Sequence, residues 1–157
     1  GCFERGIVPD ISHASENSAD DIISLAYEHK KPVIASHSNS YSVYSHSRNL
    51  RDKHLNAINE LGGIVGISLC NSHLADKKDE ETDVYDVVKH IEYYMANGAA
   101  DFLCMGADWD GTDLPCGFSD IRDVYKIYEE LLRLNYSEDS IDKIFYRNAL
   151  DFYTGIR

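Results

Sequence analysis

The sequence predicts a parallel α/β fold, and three observations carry that expectation. Four short apolar runs recur along the chain, each followed by a stretch of helical periodicity. The runs start about 26 to 38 residues apart, enough for the crossover helix that parallel strands require. A cluster of polar, chemistry-bearing residues follows each run, and the carboxyl ends of parallel strands are where such folds place their sites.

The first run is Ile7-Val8, and the helical pattern after it uses Ile22, Ile23 and Ala26. Ser18-Ala19-Asp20-Asp21 has capping-box spacing and is read as that helix's start. The second run is Val33-Ile34-Ala35; its helix presents Leu55, Ile58 and Leu61 and is closed by Gly62-Gly63. The third spans Ile64 to Leu69. Val84, Val87, Val88, Ile91 and Met95 follow on one helical face, closed by Gly98. The fourth spans Phe102 to Met105 and is followed by Val124, Ile127, Leu131 and Leu134. A last helix starts at Ser137 as N-cap and turns Ile141, Ile144 and Phe145 inward. Each run is too short for a helix and reads as a buried strand.

The chain has 157 residues, the size of one domain. A complete (β/α)₈ barrel needs roughly 200 to 250, so four βα units are half of such a barrel or most of a small doubly wound sheet. Periodicity does not choose between them. Apolar residues are 43% and charged residues 27%, the composition of a globular domain. The net charge of −12 argues against nucleic acid, whose phosphates need a basic footprint. The cysteines, Cys2, Cys70, Cys104 and Cys116, form no C-x-x-C pair and are expected to be reduced. No apolar run approaches the roughly 20 residues of a membrane span, and the tail at Tyr153 to Arg157 has no segment suited to a GPI-type anchor. The chain opens abruptly at Gly1-Cys2-Phe3-Glu4, so an amino-terminal part is expected to be missing. That leaves localisation open, with a cytoplasmic setting favoured by the cysteines.

Asp10-Ile11-Ser12-His13 ends the first run and Ser36-His37-Ser38 the second. His13 and His37 are 24 positions apart, one βα unit, so they fall side by side on adjacent strands. Two neutral imidazoles there suit a divalent metal, zinc above all. On the residues alone, two hydrogen-bonded structural histidines is an equal reading. His73 lies at the third strand end and can face the site; His46 lies in a loop and is undecided; His29, His54 and His90 fall in helical patterns, at the surface or in packing. Asp108, in Gly106-Ala107-Asp108-Trp109-Asp110-Gly111, is a carboxylate placed to move protons, while Asp110 reads as a turn residue. An EF-hand fails, because Asp113 and Ser119 stand where Gly and Glu are required. Arg48 sits on the loop after the second run, where a guanidinium can clasp a carboxylate, though a solvated arginine is the plainer reading.

These segments, with Arg48-Asn49-Leu50-Arg51-Asp52 and Gly62-Gly63-Ile64-Val65-Gly66, occur in an order that strongly resembles the membrane dipeptidase (renal dipeptidase-like) family of the amidohydrolase superfamily, from about residue 5 to the end. The resemblance implies α/β units forming about half of a TIM-type (β/α)₈ metal-dependent hydrolase barrel, with residues 1–157 as its carboxyl-terminal half. It implies two zinc ions per intact site and hydrolysis of dipeptides. His13 and His37 would be ligands of one zinc, Arg48 would hold the substrate carboxylate, and Asp108 would pass a proton to the leaving amine. The family's His-x-Asp motif, bridging Glu and a further substrate-binding His have no counterpart in this sequence. His73 stands about where the animal enzyme has a substrate-contacting tyrosine. The fragment alone is therefore expected to bind metal weakly, to be inactive, and to self-associate or pair with the missing half. Two alternatives stay open: a non-catalytic α/β binding module, and another hydrolase of the superfamily acting on other amides or esters.

Overall fold

The computed structural model describes residues 1–78 and 81–155; the tail residues Ile156 and Arg157 lie outside the described part. Strands β1 (Val65–Ser68) and β2 (Leu103–Ala107) form a parallel pair. All four β1 residues are buried, as in a strand covered on both faces. Isolated parallel bridges join Ala35 to Val65 and Asp10 to Ile34. The parallel order therefore runs from residue 10 through 34–35 and β1 to β2.

Two of the four expected strands are thus reduced to single bridges, for reasons in the backbone. The first pairing falls later than Ile7-Val8: Ile34 N–H donates to Pro9 O, and Ile11 N–H to Ile34 O. Ile7 is exposed, and Pro9 has no N–H to extend a ladder. The second segment pairs through Ala35 and then leaves the sheet. The carbonyl of Ser36 lies against the faces of Gly66 and Gly106, where a Cβ on either would stand 2.0 Å from the oxygen. Only glycine at both positions permits this crossing. It sets the backbone of Ser36 and His37 directly above the sheet.

The helices follow the expected order with corrected boundaries. α1 (Glu16–His29) starts at Ser15, not Ser18, because the Ser15 hydroxyl accepts the Ser18 N–H at 3.2 Å. α2 (Asp52–Glu60) buries Leu55, Ala57 and Ile58. α3 (Val84–Ala96) begins with a reciprocal Asp83/Asp86 capping box. α4 (Tyr125–Arg133) follows a 3₁₀ turn at Ile121–Val124. The last helix is capped by Ser137 as expected but is not uniform: α5 (Glu138–Asp142) and α6 (Asn148–Thr154) are joined by a wide π turn, Lys143–Arg147. Val33, Val65, Ile67, Leu103, Ile58, Ile91, Ile127, Leu131, Ile141 and Ile144 share one core.

Candidate active site

The site is built from Asp10 upward. Its carboxylate accepts the backbone N–H of Ser12 and of Ser36, each at 3.0 Å, and the Ser36 hydroxyl. Burial opposes its ionisation, but these hydrogen bonds prevail and hold its pKa below the ordinary aspartate value. The Ser12 hydroxyl accepts the His37 N–H at 3.0 Å. The residues beside the two histidines are therefore tied to each other before the imidazoles meet.

His13 Nε2 and His37 Nε2 lie 2.8 Å apart. The Ser36 hydroxyl has one proton, and Asp10 takes it. At 2.8 Å from His37 Nδ1, the Ser36 oxygen must then accept, so His37 carries its proton on Nδ1 and presents a bare Nε2. His13 donates from Nε2 to that lone pair, and Arg48 Nη2 lies against the same ring, 2.7 Å from His13 Nδ1 and 2.9 Å from Nε2. One directed chain runs from His13 through His37 and Ser36 to Asp10, with Arg48 against its outer ring. Burial lowers the His37 pKa, and the attraction of Asp108 only partly offsets it, so the ring is neutral at pH 7.

Asp108 Oδ2 stands 3.8 Å from His37 Nε2, too far for a hydrogen bond. Two consecutive left-handed residues place it there, Ala107 at φ +52° and Asp108 at +71°. Its carboxylate lies over Gly111, where a Cβ would come within 2.3 Å of Oδ1. Asp110 is exposed in the turn that follows. Arg48 Nε is buried without a hydrogen-bond partner.

The structure thus brings His13, His37, Arg48 and Asp108 together at one end of the parallel segments. His46 joins them: its ring stacks on His73 at 4.6 Å between centroids. Asn49 Nδ2 donates to the carbonyls of Tyr44 and His73, fixing both loops. Burial first, then neighbouring charge including Arg48, holds both imidazoles below the ordinary histidine value. His54 is buried against Asp20 at 2.8 Å, and His90 is fully enclosed. Asp10, Ser12 and Ser36 stand beside the two histidines in the sequence, and residue type alone gives them no role. The signal was the hydroxyl one residue before each histidine, Ser12 and Ser36.

The donor chemistry fits zinc in part. His37 offers a lone pair, and its other nitrogen is oriented through Ser36 by a carboxylate, the arrangement that holds metal-binding histidines. The 2.8 Å separation is shorter than the roughly 3.3 Å between two nitrogens on a tetrahedral zinc, so the pair must open slightly. Among the described residues, no three His, Cys, Asp or Glu side chains converge on one metal position.

The parallel segment ends of this α/β fold carry facing imidazoles, a guanidinium and a carboxylate. The sequence model of the membrane dipeptidase family (peptidase family M19) matches residues 3–154. The chain belongs to that family. It is 32% identical over 147 residues to dipeptidase ataJ of Aspergillus terreus, covering 93% of this chain and 35% of that protein. It is 33% identical over 143 residues to an uncharacterized protein in the pqqA 5′ region of Klebsiella pneumoniae, covering 90% and 52%. Its fold is similar to that of the dipeptidase AC, a metallo peptidase of family M19, with a TM-score of 0.88 and 28% identity over 96% of this chain and 44% of that one. A metallo peptidase from Rhodobacter sphaeroides, liganded with a phosphinate mimic of the dipeptide L-Ala-D-Ala, also gives 0.88 and 28%, covering 98% and 43%. The chain spans between a third and about half of the curated relatives' length.

Proposed function

We propose that this chain is the carboxyl-terminal half of a (β/α)₈ dipeptidase barrel and carries part of a zinc-dependent site that hydrolyses dipeptides. The observation that carries this reading is the approach of His13 and His37, Nε2 to Nε2, beside Arg48 and Asp108. His13 and His37 would hold one zinc of a pair. The metal, when bound, supplies the Lewis acidity that polarises the scissile carbonyl and acidifies the attacking water. Arg48 binds the substrate's terminal carboxylate through its guanidinium, whose Nε is buried without a partner and must turn outward to join that contact. Asp108, beside His37, takes the water's proton and delivers it to the amine as the C–N bond breaks.

With a metal held at Nε2, His13 would carry its ring proton on Nδ1, the nitrogen 2.7 Å from Arg48 Nη2.

Zinc takes at least three protein ligands in its usual sites, so the 157-residue chain alone should bind zinc weakly and turn over no dipeptide. The test is a dipeptide panel with added zinc, run on this chain and on the longer protein that includes the upstream half. Hydrolysis by the longer protein only, lost on chelation, supports the reading. No hydrolysis by a zinc-loaded longer protein would overturn it in favour of a binding module, and cleavage of other amides alone would point to another hydrolase class.

A further inference from the structure

The segment Ser38 to Ser40 follows His37 and is almost completely enclosed, at 3%, 0% and 0% exposure. Enclosed loop backbone must find partners for its polar groups. Ser38 N–H donates to Gly66 O at 2.7 Å. Asn39 pairs through its amide with both Ser68 N and Ser68 O, at 3.1 Å each. Asn39 O accepts the Leu50 N–H at 2.7 Å, Ser40 O accepts the Tyr44 N–H at 3.2 Å, and Ser38 Oγ donates to Ser12 Oγ at 3.2 Å. Two further contacts come from α3. Tyr94 Oη donates to Ser38 O at 3.0 Å, and His90 Nδ1 accepts the Ser40 N–H at 3.1 Å. The other His90 nitrogen donates to Leu74 O at 2.9 Å, on the loop that follows His73.

His90 and Tyr94 are both at 0% exposure. They stand four residues apart on the α3 face that also buries Val87 and Ile91. An imidazole and a phenol placed among aliphatic side chains are costly unless hydrogen-bonded. Both direct hydrogen bonds at the few residues after His37. On the amino side, the His37 N–H is already fixed by Ser12. We infer that His90 and Tyr94 are positioning residues for His37, a clamp from α3 that sets the backbone from which this imidazole faces His13.

Two substitutions at His90 separate its bonds. In His90→Asn an amide oxygen replaces Nδ1 as acceptor for Ser40, but the side chain falls short of Leu74. In His90→Gln the amide nitrogen reaches toward Leu74, but the Ser40 N–H loses its acceptor. Tyr94→Phe removes only the bond to Ser38 O and no packing volume. Long-range ¹H–¹⁵N spectra of the 157-residue chain read the His37 tautomer directly, and zinc alone is then titrated at the same resonances. Wild type and His90→Asn should show a protonated Nδ1 and bare Nε2 on His37. Tyr94→Phe and His90→Gln should shift His37 toward a tautomer average and weaken zinc about three- to tenfold, with the His54 signals unmoved. Unchanged His37 signals in Tyr94→Phe and His90→Gln, or an equal displacement in His90→Asn, would overturn the clamp. If His90→Gln fails to fold, Tyr94→Phe decides alone. The zinc arm rests on the metal reading proposed above. A His37 spectrum that responds to Tyr94→Phe in a chain indifferent to zinc supports the clamp and overturns the metal reading.

Discussion

Arg48 and Gly111 show how much of the site is decided by single residues. Arg48 competes with a cation for His13, because its Nη2 lies 2.7 Å from Nδ1 and 2.9 Å from Nε2 and sets a positive charge beside the nitrogen a metal would use. Charge-assisted hydrogen bonds of this kind contribute roughly 1.5 to 3 kcal/mol when buried and less beside an exposed ring such as His13. Arg48→Met should therefore raise zinc affinity about three- to tenfold in calorimetric titration while abolishing dipeptide binding in the longer protein. Weaker zinc binding in this variant would show that Arg48 supports the ligand rather than competing with it. Gly111 acts on Asp108 through space. A methyl group there meets Oδ1 at 2.3 Å and must push the carboxylate aside. A displacement near 1 Å can cost about 100-fold in rate. In the longer protein, Gly111→Ala should lower kcat by about 10- to 100-fold with KM little changed, and a normal kcat would remove Asp108 from proton transfer. His13, His37 and Asp108 were singled out in the sequence by residue type at the ends of the apolar runs, whereas Arg48 was marked out by the family resemblance rather than by its own position. Gly111 was not singled out, because its contribution is the absence of a side chain.

α3 carries the clearest helical spacing in the sequence, and its apolar positions Val87, Val88 and Ile91 are buried as expected. The same spacing could not reveal what His90 does, since its partners Ser40 and Leu74 lie 50 and 16 residues away. Burial lowers the His90 pKa to about 4, against a weaker opposing effect of its bond to Leu74 O. The folded chain therefore keeps this ring neutral where the unfolded chain, with a histidine near 6.5, takes up a proton. The stabilisation is complete above about pH 6.5 and is lost as pH falls toward 4, amounting to about 3 kcal/mol across that window. Asp10 and Asp86 are held below the ordinary aspartate value, so their contributions disappear at lower pH. Urea midpoints measured from pH 7 to pH 4.5 should fall steeply in the wild type and less steeply in His90→Asn, which lacks this ring; the slope that remains belongs to His37, His46 and His73, also held below the ordinary histidine value. Parallel slopes in the two proteins would refute the assignment to His90.

At the level of the whole chain, three of the parallel segments fall on the apolar runs because buried parallel strands are short apolar runs at crossover spacing, whereas the first pairs at residues 9–11, just after Ile7-Val8. The reduction to bridges could not be read there, because Pro9 and the crossing of Ser36 over Gly66 and Gly106 act on backbone geometry rather than on hydropathy. Among the described residues the parallel array extends no further than residues 9–11 on one side and β2 on the other. The flank beside residues 9–11 is apolar: Ile7 and Leu25 are 53% and 48% exposed, and a cavity lined by Phe3, Pro9, Ile22 and Leu25 opens next to them. An uncovered apolar flank and a pairing edge on the same side favour association with another chain. The net charge of −12 opposes it, since like-charged molecules repel over distances that salt shortens. The balance predicts reversible self-association that strengthens with salt, observed by light scattering between low and physiological ionic strength. Leu25→Lys should return the chain to a monomer, because it places a charge at the centre of that flank without entering the core. A wild-type monomer at high protein concentration in salt would mean that the helices themselves satisfy this flank, and would remove the physical reason for expecting a complementary half.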